Sequence, residues 1–139
     1  MKDKIKQFVE KMKGPEVQFG DIRLTLNDSE TIFFEKGILK GLSNSSDSLA
    51  IGIRVLVDGT WGFAATGKLT DKALEKTMKK AVANAKHGAR FKHDPINYKP
   101  IKPTRDEYHF VPKEDPFKMA TGEKIDFLQN IAQKINRDK

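Results

Sequence analysis

The stretch from Leu49 to Thr66 constrains the fold of this chain more than any other. Its first half alternates apolar with small or polar residues, the apolar ones being Leu49, Ile51, Ile53, Val55 and Val57. A period of two predicts a strand with one buried face. After Asp58-Gly59 the same spacing continues at Trp61, Phe63 and Ala65. Two such runs around an Asp-Gly pair predict an antiparallel β-hairpin.

The register of this hairpin depends on the length of its turn. A two-residue type I′ turn at Asp58-Gly59 pairs Val55 with Gly62 and leaves Trp61 on the face away from the β-branched residues. A three-residue loop with Gly59 at positive φ instead pairs Val55 with Trp61, Ile53 with Phe63 and Ile51 with Ala65. A slip of one residue turns every side chain to the other face. The hydrophobic pattern therefore favours the three-residue loop, with Trp61 and Phe63 in the core.

Three further strands are predicted before this hairpin, at residues 22–26, 31–35 and 38–42, separated by turn sequences at 27–29 and 36–37. The polar run 43–47 is read as a loop. Five consecutive strands with short connections favour an antiparallel meander. We therefore expect an α+β fold in which helices pack on one face of a sheet of about five strands.

Three helices are expected around this sheet. An amphipathic stripe of Ile5, Phe8, Val9 and Met12 marks the first, which ends at Gly14-Pro15. Thr70 is the predicted N-cap of an Ala-rich second helix that stops near Gly88. A third begins near Thr121, with Ile125, Leu128, Ile131, Ala132 and Ile135 on one face.

The domain organisation follows from these elements. We expect a helix–sheet–helix core over residues 1–91, a Pro-rich loop or linker over 92–118 and a C-terminal helix over 119–139. Five of the six prolines fall in the middle segment, at Pro95, Pro100, Pro103, Pro112 and Pro116. The whole is interpreted as a single domain that belongs to a longer protein.

Composition limits the function classes. The chain has no cysteine, so disulfides and thiolate metal sites are excluded. Neither a signal peptide nor an apolar run long enough to span a bilayer is present, which predicts a cytoplasmic protein with no membrane partner. The net charge of +7 allows a basic nucleic-acid-binding module that uses the lysines of the second helix and the Pro-rich loop. A free-standing adaptor module is a further alternative. Because Asp and Glu are interspersed with the cations, ordinary solubility explains the charge better and nucleic acid is not the expected partner.

No catalytic or metal-binding residue is predicted. The histidines, at positions 87, 93 and 109, do not form a pair with the spacing that holds zinc on a helix. Arg54 is unusual because it interrupts an otherwise apolar strand. It is read either as a solvent-side charge that extends over the sheet or as a docking or peptide-contacting charge. Trp61 and Phe63 are read as core residues, with an interface as the alternative, so Arg54, Trp61 and Phe63 form a speculative interface set.

Three blocks of the chain resemble a known family. They are Asp21-Ile22-Arg23, Lys36-Gly37-Ile38 and the run from Gly52 to Ala64, read as Gly-Ile-Arg-Val-Leu-Val-Asp-Gly-Thr-Trp-Gly-Phe-Ala. Asp115-Pro116-Phe117 and the run from Glu123 to Leu128 add to the match. The chain is similar to the N-terminal domain of the TldD/PmbA family of zinc metallopeptidases, also labelled "modulator of DNA gyrase". The Trp-Gly-Phe-Ala form is closer to the TldD-like branch.

The resemblance implies proteolysis of peptides or unfolded segments by an assembly of two subunits. In that family a His-Glu-x-x-x-His motif in a later domain binds zinc, and no position of this chain matches it. We therefore expect a non-catalytic module with no cofactor of its own. Its expected partners are a TldD/PmbA-type subunit, in a homo- or heterodimer, and the peptide substrate of the assembly.

Overall fold

The architecture is given by a computed structural model that describes residues 2–91, 94–99, 101–102 and 104–137. The features predicted at His93, Pro100 and Pro103 lie outside the described residues. The elements, in chain order, are α1 (Lys2–Met12), β1 (Phe19–Glu35), β2 (Ile38–Val57), β3 (Thr60–Thr66), α2 (Asp71–Ala89) and α3 (Thr121–Arg137). The fold is α+β, with an antiparallel sheet in the order β1-β2-β3.

The predicted count of five strands is wrong, since the described residues form a sheet of three. The turn expected at 27–29 lies within β1, and the loop expected at 43–47 lies within β2. The polar side chains at these positions are mostly exposed, so water solvates them while the backbone continues as a strand. Within the polar run of β2, only Asp47 adopts a left-handed conformation, with φ of 51°, a conformation that Asp tolerates better than most residues and that β-bulges employ.

The register of the β2–β3 hairpin also differs from the prediction. Val57 pairs with Thr60, Val55 with Gly62 and Arg54 with Phe63, so the turn has two residues. Asp58 and Gly59 have φ of 50° and 67°, the double positive φ that a type I′ turn requires. Trp61 and Phe63 therefore lie on the face away from the β-branched residues, and the prediction that they belong to the core is wrong.

Helix packing explains this choice of register. The face of β3 that pairs with Val55 and Ile53 presents only Gly62 and Ala64, and α2 packs directly on β3. A Cβ at Gly62 would lie 2.0 Å from the carbonyl oxygen of Ala81 in α2. A tryptophan facing α2 would have no room at this distance, whereas glycine lets the helix backbone approach the sheet.

The core lies between α1, α2 and one face of the sheet. It contains the apolar residues of β2 that alternate in the sequence, together with Phe8 and Met12 of α1 and the buried stripe of α2. The predicted stripe of α1 and the predicted helix after Thr70 are confirmed. Thr70 is the N-cap of α2, where its Oγ1 accepts a hydrogen bond from the Ala73 N–H at 3.3 Å.

The chain divides into two compact units, and each long strand contributes to both. The first comprises the described residues within Met1–Asn27 and Asp47–Lys102, and the second those within Asp28–Ser46 and Pro103–Lys139. Both are described separately below. The three-part division at residues 91 and 118 stays a prediction.

Candidate functional site

The sheet of the first unit has a second face, opposite α1 and α2. The observed register places Gly52 and Arg54 of β2 on this face, together with Trp61, Phe63 and Ala65 of β3. Phe63 is 60% exposed, whereas Ile53 and Val55 on the other face are fully buried. We call this surface the open face. It brings together the three residues of the speculative interface set.

Arg54 is held in place from two sides. Its Nε and Nη2 both donate to Asp21 Oδ2 of β1, at 2.9 and 2.5 Å. Its guanidinium carbon lies 4.6 Å from the centroid of the Trp61 ring, within cation–π distance. The Arg54 side chain is about half exposed, so the ion pair contributes on the order of 1 kcal/mol or less. The contacts therefore fix the direction of the guanidinium more than they stabilise the fold.

An aromatic cluster closes one end of the open face. The rings of Phe19, Trp61 and Tyr98 contact one another edge to face, with centroids 4.5 to 5.8 Å apart. Tyr98 belongs to the segment after α2, which is attached to the hairpin because the Ile96 N–H donates to the Gly59 carbonyl at 2.8 Å. This segment holds the tyrosine against Trp61.

Beyond the cluster, the open face forms a shallow cavity of ≈ 370 Å³. Its walls come from all three strands, and the lining residues are Asp21, Arg23, Thr25, Ala50, Gly52, Arg54, Phe63 and Ala65. The floor is made of small residues, and the Phe63 ring leans over Gly52, where an added Cβ would lie 3.0 Å from Phe63 Cε2. Two arginines and one aspartate line this space, which leaves an unbalanced positive charge.

Sequence reasoning missed several members of this site. Asp21 and Arg23 alternate with Ile22 and Leu24, and this alternation was the signal that could have placed them opposite the core. Nothing local in the sequence indicated that Tyr98, more than thirty residues from Trp61, would contact it. The roles of Arg54, Trp61 and Phe63 in binding stay predictions.

A second concave surface lies in the second unit. Glu30 of β1 accepts hydrogen bonds from Thr121 Oγ1 at 2.5 Å and from Lys124 Nζ of α3. The bond from Lys124 and that from Thr121 lower the pKa of Glu30, because they stabilise its ionised form. A groove of ≈ 700 Å³ runs past this pair between mostly apolar residues, including Ile32, Phe127 and Leu128. The predicted helix at Thr121 is confirmed.

Among residues 2–91, 94–99, 101–102 and 104–137, no three His, Asp or Glu side chains come together in a way that would hold a metal ion. Within the described part of the chain, no helix combines the length and the apolar character that crossing a bilayer requires.

A match to a known protein family covers the sheet and most of α2. The model of the family described as PmbA/TldA metallopeptidase domain 1 matches residues 20–85, from the start of β1 through most of α2. Residues 20–85 form a first domain of the PmbA/TldD family. The resemblance carried by the Gly52–Ala64 block is thereby confirmed. The PmbA/TldD domain includes the open face of all three strands.

A relative supports the same assignment. The chain is 25% identical over 121 residues to the protein named Metalloprotease MJ0996 from Methanocaldococcus jannaschii. This similarity covers 87% of the chain but 27% of the relative. The chain thus spans about a quarter of the length of the curated relative that it matches.

Proposed function

We propose that this chain is the non-catalytic N-terminal part of a TldD/PmbA-type zinc metallopeptidase, in which it helps subunit assembly and substrate access. The observation that carries the proposal is the open face itself. On a first domain of this family, one sheet face is covered by two helices and the other carries a fixed arginine beside an exposed phenylalanine. A surface of this composition suits a protein or peptide partner, since aromatic residues and arginine are enriched at binding interfaces.

The motif content of the chain indicates which steps it is expected to perform. The sequence has no His-Glu-x-x-x-His motif, so the zinc and the hydrolytic step belong to a later domain of such a protein. The expected partner is a TldD/PmbA-type subunit, identical or different, in the cytoplasm. The substrate is a peptide or an unfolded segment.

The first test asks whether the chain is inactive alone. The purified chain is supplied with one equivalent of zinc, and bound metal is measured by mass spectrometry after desalting. Cleavage is measured with fluorescently labelled unfolded casein. We expect neither retained zinc nor cleavage. Stoichiometric zinc with cleavage would show that the chain is a peptidase in its own right.

The second test asks whether the open face binds a subunit. The tagged chain is used to capture proteins from an extract of the source organism, and these are identified by mass spectrometry. We expect a protein with a His-Glu-x-x-x-His motif, and Phe63→Ser should reduce its capture roughly tenfold or more, the loss typical of an interface hot spot. Phe91→Ser is the matched control, because Phe91 is also exposed but lies outside the open face. Equal capture by both variants would remove the open face from the interface.

A further inference from the structure

The cavity on the open face has more positive than negative charge. Arg54 is paired with Asp21, but Arg23 has no carboxylate partner in the part of the chain that the structure describes. Both arginines line the same cavity. An arginine pair of this kind binds carboxylates with charge-assisted and often bidentate hydrogen bonds.

The walls next to these charges are apolar and shaped by small residues. Ala50, Gly52 and Ala65 form the floor, and Phe63 stands at the side with 60% of its surface exposed. The absence of a side chain at Gly52 lets the Phe63 ring lie over the strand. The ≈ 370 Å³ space therefore places an apolar wall beside a cationic end, and its size is that of a small-ligand pocket.

We infer that this cavity binds a peptide carboxylate through Arg23 and Arg54 while an apolar side chain of the same peptide packs on Phe63. The inference rests on the proposed function. It specifies that the surface proposed to help substrate access recognises a carboxylate. Two sources supply such a carboxylate, a peptide C-terminus or an acidic side chain. Asp21 competes with the ligand for Arg54, because both present a carboxylate to the same guanidinium.

This competition predicts that two substitutions in the cavity change carboxylate binding in opposite directions. Residues with a purely structural role would not produce that result. Asp21→Asn removes the internal carboxylate and should tighten carboxylate binding about fivefold, whereas Arg23→Gln should weaken it about tenfold, the usual effect of one charged hydrogen bond. Arg90→Gln is the matched control, because it removes the same charge from an exposed position at the end of α2. It should change binding less than about twofold.

Three probes separate the sources of the carboxylate, and each is labelled at its N-terminus with dansyl, a fluorophore that carries no carboxylate of its own. They are Gly-Ser-Gly-Leu with a free C-terminus, the same peptide amidated, and amidated Gly-Ser-Glu-Leu. Binding to the full chain is measured by fluorescence anisotropy. Preference for the first probe assigns the site to C-termini, and preference for the third assigns it to acidic side chains. Equal binding of all three, or Arg23→Gln and Asp21→Asn variants that bind like the unmodified chain, would overturn the inference. Because subunit capture and zinc binding are measured separately, such a failure would leave the proposed function standing.

Discussion

Gly62 shows how much a single residue decides in this fold. It lies on β3 directly beneath α2, where an added Cβ would approach the Ala81 carbonyl oxygen to 2.0 Å and the Ala85 nitrogen to 2.6 Å. Both atoms belong to the backbone of a helix whose buried stripe faces the sheet, so neither yields without moving α2. The contact fixes which face of β3 can accept the helix.

We predict that Gly62→Ala destabilises the chain by roughly 2 kcal/mol or more, because the core must expand to admit the methyl group. The free energy of unfolding is measured in urea from the fluorescence of Trp61. Gly14→Ala serves as the control, since an added Cβ there meets no atom within 4 Å. It should shift the free energy of unfolding by less than about 0.5 kcal/mol. Equal stability of the two variants would contradict the close approach of α2.

At the scale of elements, side-chain contacts attach α3 to the β1–β2 ribbon within the second unit. Glu30 accepts hydrogen bonds from Thr121 in the first turn of α3 and from Lys124 one turn later. Its side chain is 9% exposed. The start of α3 is also capped, because the Ala120 N–H donates to Glu123 Oε2 at 3.3 Å. A partly buried carboxylate at a helix start interacts favourably with the helix dipole.

The lowered pKa of Glu30 predicts a pH dependence of this attachment. The folded unit binds the proton of Glu30 less tightly than the unfolded chain does, so the ionised carboxylate stabilises the unit above about pH 4.5, the ordinary glutamate value. This contribution is lost as the pH falls through the lowered pKa. Glu30→Gln should weaken the protection of α3 amides near neutral pH and flatten its decline in acid. Hydrogen exchange of α3 amides measures both effects.

Two comparisons make this prediction specific. Glu35→Gln removes an exposed carboxylate from the same strand and should leave the exchange of α3 unchanged. The fluorescence of Trp61 reports on the first unit and should be insensitive to Glu30→Gln. If the pH profiles of the Glu30→Gln and unmodified chains coincide, the carboxylate does not support α3.

At the scale of the whole molecule, the net charge of +7 raises the question of a polyanion partner. Some of the cations are paired with carboxylates, as Lys86 is with Glu16 and Lys4 with Asp71. The hydrogen bond that Lys86 Nζ donates to Glu16 raises the pKa of Lys86, because it stabilises the ammonium form. Cations engaged in this way contribute less to a field that would attract nucleic acid.

We predict that the chain binds single-stranded DNA only weakly, with Kd above about 10⁻⁴ M at roughly 150 mM salt, the weak limit of non-specific binding. Fluorescence anisotropy with a labelled oligonucleotide is measured over a series of salt concentrations. Submicromolar binding that falls steeply with salt would instead favour the nucleic-acid-binding module that the composition allows.

The sequence by itself determined the three helices, the presence of one hairpin and the family. The stripe of α1, the Thr70 cap of α2, the start of α3 and the presence of a hairpin at Asp58-Gly59 all depend on neighbouring residues, which periodicity and capping chemistry report directly. The block around Trp61 carried the family resemblance for the same reason. These features need no knowledge of distant contacts.

Only the tertiary structure decided the register, the strand count and the composition of the open face. The alternation along β3 is compatible with either face pointing towards the core. The packing of α2 decides between them, because the helix fits against the face that carries Gly62 and not against the face that carries Trp61. The polar runs that indicate turns stay extended because their backbone is paired in the sheet. The pairing of Asp21 with Arg54 and the packing of Tyr98 on Trp61 join distant parts of the chain. Local patterns do not contain that information, because the free energy of such contacts depends on how the elements pack.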